Sequence, residues 1–115
     1  MGYWAYFSNV WIRDRRIVLT EHIVKKYGIR RNDSAKLEAL ARKVGDVIGS
    51  SHERFRDNIA PNRYVAVRRE NNRYTIVVYE RNGSLYIITM IENISEKRYN
   101  RMRKNRIKNK RWVRI

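Results

Sequence analysis

Apolar residues recur every three or four positions in the first half of the chain, as they do along one face of a helix. The clearest such stripe predicts a helix over residues 33–48, with Asn32 or Asp33 as its N-cap. A shorter helix is predicted over residues 21–27, where Thr20 is in a capping position. Helices therefore dominate the predicted structure before the middle of the chain.

The second half changes to the composition of strands. Residues 64–68, 74–79 and 85–91 are rich in β-branched and aromatic side chains and are separated by short polar segments. The Asn82-Gly83 pair predicts a tight hairpin between the second and third runs. These three runs predict an antiparallel meander.

Four other segments have weaker patterns. Residues 3–12 have the aromatic and β-branched content of a strand, and residues 14–16 have the composition of a turn. Residues 50–62 are mostly polar and are interpreted as a connector, with one helical turn over residues 53–58. Residues 112–115 are apolar enough to form a last short strand.

Ser95 is in a position to cap a basic helix that follows the meander. Asparagines lower the helix propensity further on, so residues 103–111 are expected to be an arm that orders on its ligand. The predicted fold is α+β, with N-terminal helices packed on a three- to four-stranded antiparallel meander, followed by a basic C-terminal helix. Residues 1–115 form a single domain in this prediction, and residues 97–115 are its basic helix or arm.

The charge distribution points to a polyanionic partner. The chain has 115 residues and a formal net charge of +16. Ten Lys or Arg and no acid follow Glu96, whereas the preceding part offsets 17 bases with 11 acids. Because the final segment has no acid for its cations to pair with, we expect it to bind nucleic-acid phosphates. The candidate nucleic-acid-binding residues are Lys97, Arg98, Arg101, Arg103, Lys104, Arg106, Lys108, Lys110 and Arg111.

Several classes of site are absent from the sequence. There is no cysteine for a disulfide or a thiolate metal site, and the two histidines and the carboxylates show no metal-ligand spacing. No nucleotide-binding loop, nucleophile elbow or zinc-protease helix is present. The sequence therefore predicts neither a metal nor a cofactor. Residues 1–12 lack the features of a signal peptide and residues 85–91 are too short a run to span a bilayer, so we expect a cytoplasmic protein without membrane contact, in the host cytoplasm if it is viral.

Two groups of residues are candidates for further chemistry. His52 lies in a polar segment among arginines and is a candidate general base for RNA cleavage, because histidine titrates near neutral pH. Four tyrosines lie on the predicted strands among arginines, and an aromatic sheet face of this kind could stack single-stranded bases. These tyrosines are Tyr64, Tyr74, Tyr79 and Tyr86.

The chain also resembles a known family. Roughly residues 20–105 are similar to the BrnT-like branch of the RelE-like superfamily of ribonuclease toxins. The resemblance is carried by the segments Lys25-Lys26-Tyr27-Gly28-Ile29, Arg63-Tyr64-Val65-Ala66-Val67, Tyr74-Thr75-Ile76-Val77-Val78-Tyr79, Tyr86-Ile87-Ile88-Thr89 and Glu96-Lys97-Arg98-Tyr99.

The resemblance implies metal-independent RNA cleavage, in which a ribose 2′-OH attacks the adjacent phosphate and basic side chains stabilise the developing charge. Arg63, Arg98 and Arg101 would hold the phosphate, and the candidate catalytic residues are His52, Arg63 and Arg98. After the third strand, however, the family has an Ile-Ser-Ala-Arg motif where this chain has Ile88-Thr89-Met90-Ile91, without an arginine.

Three functions are therefore left open. The first is a non-catalytic DNA- or RNA-binding protein, such as a regulator or architectural protein of a virus, plasmid or thermophile. The second is a ribonuclease toxin, which would have an acidic antitoxin-like protein as a partner. The third is a viral or plasmid structural protein that assembles through its sheet face, and a homodimer is a further possibility.

Overall fold

The structure, a computed structural model that describes residues 4–115, is built on one mixed sheet of seven strands. The strands are β1 (Ala5–Ile12), β2 (Arg15–Thr20), β3 (Glu53–Asp57), β4 (Arg63–Glu70), β5 (Arg73–Asn82), β6 (Ser84–Ser95) and β7 (Trp112–Arg114), and the helices are α1 (Glu21–Lys26), α2 (Ser34–Gly49) and α3 (Glu96–Lys108). The strand order is β1-β2-β6-β5-β4-β3-β7. β2 and β6 are parallel, and every other neighbouring pair is antiparallel.

The predicted fold, with N-terminal helices on a three- to four-stranded antiparallel meander and a basic helix last, was wrong. The meander of β4, β5 and β6 is only the centre of the sheet, a strand pair precedes the first helix, and β7 follows α3. The predicted strand over residues 3–12 corresponds to β1, and its first residue, Tyr3, lies outside the described residues. The predicted short strand near the C-terminus is confirmed as β7.

Two strands were missed for different physical reasons. β2 has a buried core of only three residues, from Ile17 to Leu19, and α1 follows it without a loop, so the pattern appeared to belong to a turn and a helix cap. β3 has the sequence ERFRD, whose charged residues suggested a connector with a helical turn. In the sheet its side chains alternate, so that Phe55 and Asp57 are buried while Arg54 and Arg56 are exposed.

The helices α1 and α2 pack on one face of the sheet. The apolar stripe of α2 is buried against residues of the central strands and forms the larger core. As the sequence predicted, Asp33 caps α2, where its carboxylate accepts a hydrogen bond from the Lys36 amide at 3.2 Å. In residues 4–115, no helix has the length and apolar character needed to cross a lipid bilayer.

α3 packs on the opposite face and covers a second, smaller core. Tyr99 is its one buried residue, and its ring stacks on Tyr74 of β5 with a centroid separation of 4.2 Å. Ser95 caps the helix as predicted, by accepting a hydrogen bond from the Arg98 amide. The helix continues to Lys108, so the expectation of an arm over residues 103–111 was wrong.

α3 leaves part of its own side of the sheet open. Its 13 residues are about 20 Å long, whereas seven strands at about 4.8 Å spacing are roughly 29 Å across. The helix runs from the end of β6 towards β3 and β7, so the uncovered part lies on β1, β2 and the first half of β6. Phe7 and Trp11 of β1 are 53% and 52% exposed there.

An irregularity in β1 fixes the position of these two aromatic residues. Between two paired positions, residues 8–10 of β1 lie opposite the single residue Ile17 of β2, so Phe7 and Trp11 lie opposite Val18 and Arg16, which share one face. The extra residues are held by Ser8, which is buried. Its hydroxyl donates to the carbonyl of Ile17 at 2.7 Å and accepts from the amide of Val10 at 3.1 Å.

Replacing this buried hydroxyl is expected to destabilise the fold. The substitution Ser8→Ala leaves a carbonyl and an amide without their partner, so we expect the free energy of unfolding to fall by about 2 kcal/mol. Urea denaturation followed by circular dichroism measures the change. Asn9→Ala is the matched control, because the neighbouring side chain is exposed, and it should change stability by less than about 0.5 kcal/mol. Equal stability of the two variants would contradict the assigned role of Ser8.

Candidate nucleic-acid interface

The outward side of α3 presents a straight row of cations. Lys97, Arg101, Lys104 and Lys108 are spaced by four, three and four residues, which places them on one side of a helix over about 16 Å. All four side chains are exposed, and none forms an ion pair with an acid in residues 4–115. We call these four residues the cationic row.

Two of the nine predicted binding residues are instead tied to the sheet. The guanidinium of Arg103 donates a hydrogen bond to Glu53, whose side chain is only 9% exposed. This hydrogen bond raises the pKa of Arg103 above its ordinary value. Arg111 lies 4.0 Å from the buried carboxylate of Asp57. Both arginines therefore help to fix α3 and the turn after it.

The contact between Arg103 and Glu53 also shows which way the helix faces. Because Arg103 reaches towards β3, the opposite flank of α3 faces β6 and the uncovered part of the sheet. That flank carries Arg98, Met102 and Arg106, each four residues from the next. Arg98 is exposed, Arg106 is half-buried, and Met102 packs on the edge of the second core. Lys110, the last predicted binding residue, is exposed in the turn after α3.

The structure separates the predicted catalytic residues. His52 precedes β3, and its amide bonds to the carbonyl of Val67, which is four residues from Arg63 along β4. At the rise of a strand, these two points are about 13 Å apart. The guanidinium of Arg63 also forms a salt bridge with the carboxylate of Glu80, with an N–O distance of 3.1 Å. Arg98 lies in the first turn of α3, at the end of the sheet where His52 lies near Tyr74. The arrangement does not bring all three around a single phosphate.

The predicted tyrosine face is also divided. Tyr64 and Tyr79 are cross-strand partners that stack on each other at 5.8 Å on the side of α2. Tyr74 is buried beneath Tyr99, and burial raises the pKa of the Tyr99 hydroxyl above its ordinary value. Only Tyr86 lies in the uncovered part of the sheet. The division follows from strand geometry, because positions 74 and 79 of one strand point to opposite faces.

Sequence reasoning missed two exposed aromatic residues that join Tyr86. Phe7 contacts Tyr86 edge-to-face, with ring centroids 6.4 Å apart, and the guanidinium of Arg16 lies over the Trp11 ring at 4.7 Å. The available signal was that Phe7 and Trp11 are an even number of residues apart in a predicted strand, which places them on one face. Among residues 4–115, no three His, Asp or Glu side chains are grouped as a metal site would require.

We compared the chain with protein-family models, with curated proteins and with solved structures, and none of these comparisons gave a match. The resemblance to BrnT-like toxins therefore stays a prediction. The function is inferred from the geometry of the chain's own residues.

Neighbouring cations of α3 should respond differently to substitution. Arg103→Gln leaves the shielded carboxylate of Glu53 without its partner, so we expect the free energy of unfolding to fall by about 2 kcal/mol. Lys104→Gln removes an exposed charge and should change stability by less than about 0.5 kcal/mol. Thermal denaturation of the two variants, which have the same net charge, checks the difference. A larger loss of stability for Lys104→Gln would contradict the structural role assigned to Arg103.

Proposed function

We propose that this protein binds nucleic acid by its phosphate backbone, with the cationic row of α3 as the principal contact. The observation that carries the proposal is that no acid within residues 4–115 forms an ion pair with the row. Each phosphate that a lysine or arginine neutralises releases counterions from the nucleic acid, which makes such a row a source of affinity that depends on salt.

The ion pairing of the cations around α1 and α2, on the other side of the sheet, differs from that of the row. Four of the seven Lys and Arg between residues 25 and 43 have an acidic partner: Glu21 lies 3.4 Å from Lys25 and 2.6 Å from Arg31, Asp33 lies 3.9 Å from Lys36, and Lys43 pairs with Glu92. A surface that serves only solubility has the same mixture of signs throughout. Unpaired cations also occur elsewhere in residues 4–115, Arg30 and Arg42 among them. What distinguishes the row is that four unpaired, exposed cations lie together on one side of a single helix, in the segment after Glu96 that contains no acid.

The energetic cost of the row supports the same conclusion. Like charges three or four residues apart destabilise a helix by about 0.2–0.5 kcal/mol per pair, and the row contains three such successive pairs. Phosphates placed along the row would convert this repulsion into attraction. The helix therefore gains stability from a polyanion, which is expected of a binding surface.

Binding is favoured over cleavage. A cut by a ribose 2′-OH needs a base and cationic groups at the same phosphate, and the distance between His52 and Arg63 argues against that arrangement. The ribonuclease alternative is kept as an outcome of the experiment below.

Removing three charges from the row should weaken binding strongly. The variant Lys97→Gln/Arg101→Gln/Lys104→Gln loses three phosphate contacts, so we expect affinity at 0.1 M salt to fall by roughly 100-fold. The slope of log K against log salt concentration should decrease by about two to three. Fluorescence anisotropy with labelled RNA, single-stranded DNA and duplex DNA, measured in EDTA at several salt concentrations, gives both quantities.

The matched control is Arg30→Gln/Lys36→Gln/Arg42→Gln, which removes the same charge from exposed positions in and before α2. It should reduce affinity by less than fivefold. If both variants lose affinity equally, net charge alone drives binding and the row is not the site. Failure of the native protein to bind any of the three nucleic acids would overturn the function itself. Shortening of RNA in EDTA would replace the binding proposal with the ribonuclease alternative.

A further inference from the structure

The uncovered part of the sheet has the features of a second contact surface. We define the open face as Phe7, Trp11, Tyr86 and Ile88, the large apolar side chains of β1 and β6 on that part of the sheet. Phe7 and Trp11 each expose about half of their surface, at 53% and 52%. Exposed aromatic residues grouped on one face usually mark an interaction site.

The rings form a continuous platform across three strands. Phe7 of β1 pairs with Val18 of β2, which pairs in turn with Tyr86 of β6. Val18 is fully buried although no helix covers it, because the Phe7 and Tyr86 rings lie on either side of it. The Phe7 and Tyr86 rings contact each other edge-to-face and the Trp11 ring is covered by Arg16, so the rings are already restrained and lose less side-chain entropy when a planar ligand stacks on them.

Cations border this platform on several sides. Arg16 stacks over Trp11 within the open face. Arg63 lies on β4, two strands from β6 and level with Tyr86, since Arg63 pairs with Glu80 and Glu80 with Tyr86. Arg98 and Arg106 lie on the flank of α3 opposite Arg103, with Arg98 at the Ile94 end of β6, and Lys25, which pairs with Glu21, lines the depression beside Tyr86. The acids in the same region are already paired, since Glu80 contacts Arg63 and Glu21 contacts Lys25. Of these cations, Arg63 and Lys25 are paired, whereas Arg16, Arg98 and Arg106 have no ion pair within residues 4–115 and are available to phosphates.

A depression of about 510 Å³ continues the open face where β1, β2 and α1 meet. Its lining includes Tyr86 and Ile88 together with the polar side chains of Thr20, Glu21, His22 and Lys25, of which Glu21 and Lys25 form an ion pair. An apolar wall with a few polar groups is typical of a pocket that holds a planar ring and hydrogen-bonds its edge.

An aromatic surface with cations around it fits single-stranded nucleic acid better than a duplex. A duplex presents phosphates on its outside but keeps its bases stacked inside, so it could use the cationic row and not the rings. A single strand offers both phosphates and free base faces. A second copy of this chain would bring two molecules of charge +16 together with arginines at the border, which the charge opposes.

We propose that the open face is a stacking platform for single-stranded nucleic acid, with bases on Phe7, Trp11 and Tyr86 and the backbone along the flank of α3 that carries Arg98 and Arg106. The inference rests on the proposed function, since it assigns the nucleic-acid form and the base contacts of the same protein. Base-to-ring stacking contributes about 1–3 kcal/mol per base, or roughly 5- to 150-fold in affinity for each ring.

The test replaces rings while keeping the apolar cover of Val18. The variants are Phe7→Leu, Trp11→Leu and Tyr86→Leu, singly and combined, in the full-length protein. Their affinity for a labelled 12-nucleotide oligo(dT) or oligo(U) and for a 12-base-pair duplex is measured by anisotropy. Each single substitution should weaken single-strand binding about 10-fold and the triple at least 100-fold, whereas duplex binding should change less than threefold. Quenching of tryptophan fluorescence by the oligonucleotide should decrease in Trp11→Leu.

Tyr27→Leu is the control, because it removes a ring on the side of the sheet that α2 covers, and it should leave single-strand affinity unchanged. Thermal denaturation confirms that each variant is folded under the conditions of binding. The stacking platform is overturned if folded ring variants bind the single strand as the native protein does, or if the native protein prefers the duplex. In both cases the role of the cationic row stands, because its own variants test it separately.

Analytical ultracentrifugation of the protein without nucleic acid tests whether a second copy of the chain covers the open face instead. The native protein should remain monomeric at tens of micromolar. A dimer that the ring substitutions dissociate would identify a second copy as the partner of the open face and would contradict the proposal.

Discussion

The stacking of Tyr99 on Tyr74 is the contact on which the rest of the candidate interface depends. α3 is otherwise so polar that Tyr99 is its only buried residue, so this ring determines where the helix rests on the sheet. With Tyr99 directed at the sheet, the geometry of the helix directs Lys97, Arg101 and Lys104 to solvent. The same contact places α3 over β5 and its neighbours and leaves the aromatic residues of β1 and β6 uncovered.

A helix with so many like charges needs support along its whole length. Ser95 caps its start, and Arg103 is held to Glu53 near its middle. Beyond its end, Trp112 of β7 stacks on Phe55 at 4.9 Å, and the amide of Asn58 bonds to the carbonyl of Arg111. The basic segment is therefore fixed at several points. Cations held in a defined geometry lose less entropy on binding than those of a flexible arm would.

The parts of the fold that were predicted correctly are those in which local pattern and tertiary contacts agree. Their sequence signals lie within a few residues of one another. This holds for the apolar stripe of α2, for the capping residues Asp33 and Ser95, and for the three central strands. The signals for the missed parts are not local. β2 is recognisable as a strand only through its neighbours β1 and β6, and β3 only through the burial of alternate residues between β4 and β7.

For the candidate site, the sequence identified the cations but not their different roles. Nothing in a run of lysines and arginines indicates that Arg103 and Arg111 face carboxylates from β3 while their neighbours face solvent, because Glu53 and Asp57 are about 50 residues away in sequence. The sequence did not predict the open face for the same reason. Phe7 and Tyr86 are far apart in the chain, and only the parallel pairing of β2 with β6 brings them together.

The chemistry of the open face argues for a role beyond covering the sheet. Val18 has to be shielded from water, and leucine or isoleucine at positions 7 and 86 could provide the same apolar cover with less exposed surface. The chain instead has a phenylalanine and a tyrosine there, a tryptophan at position 11, and an arginine stacked on that tryptophan. Flat rings and guanidinium groups share the ability to stack on a nucleobase, which aliphatic side chains lack. The choice of rings is therefore better explained by a planar ligand than by stability alone.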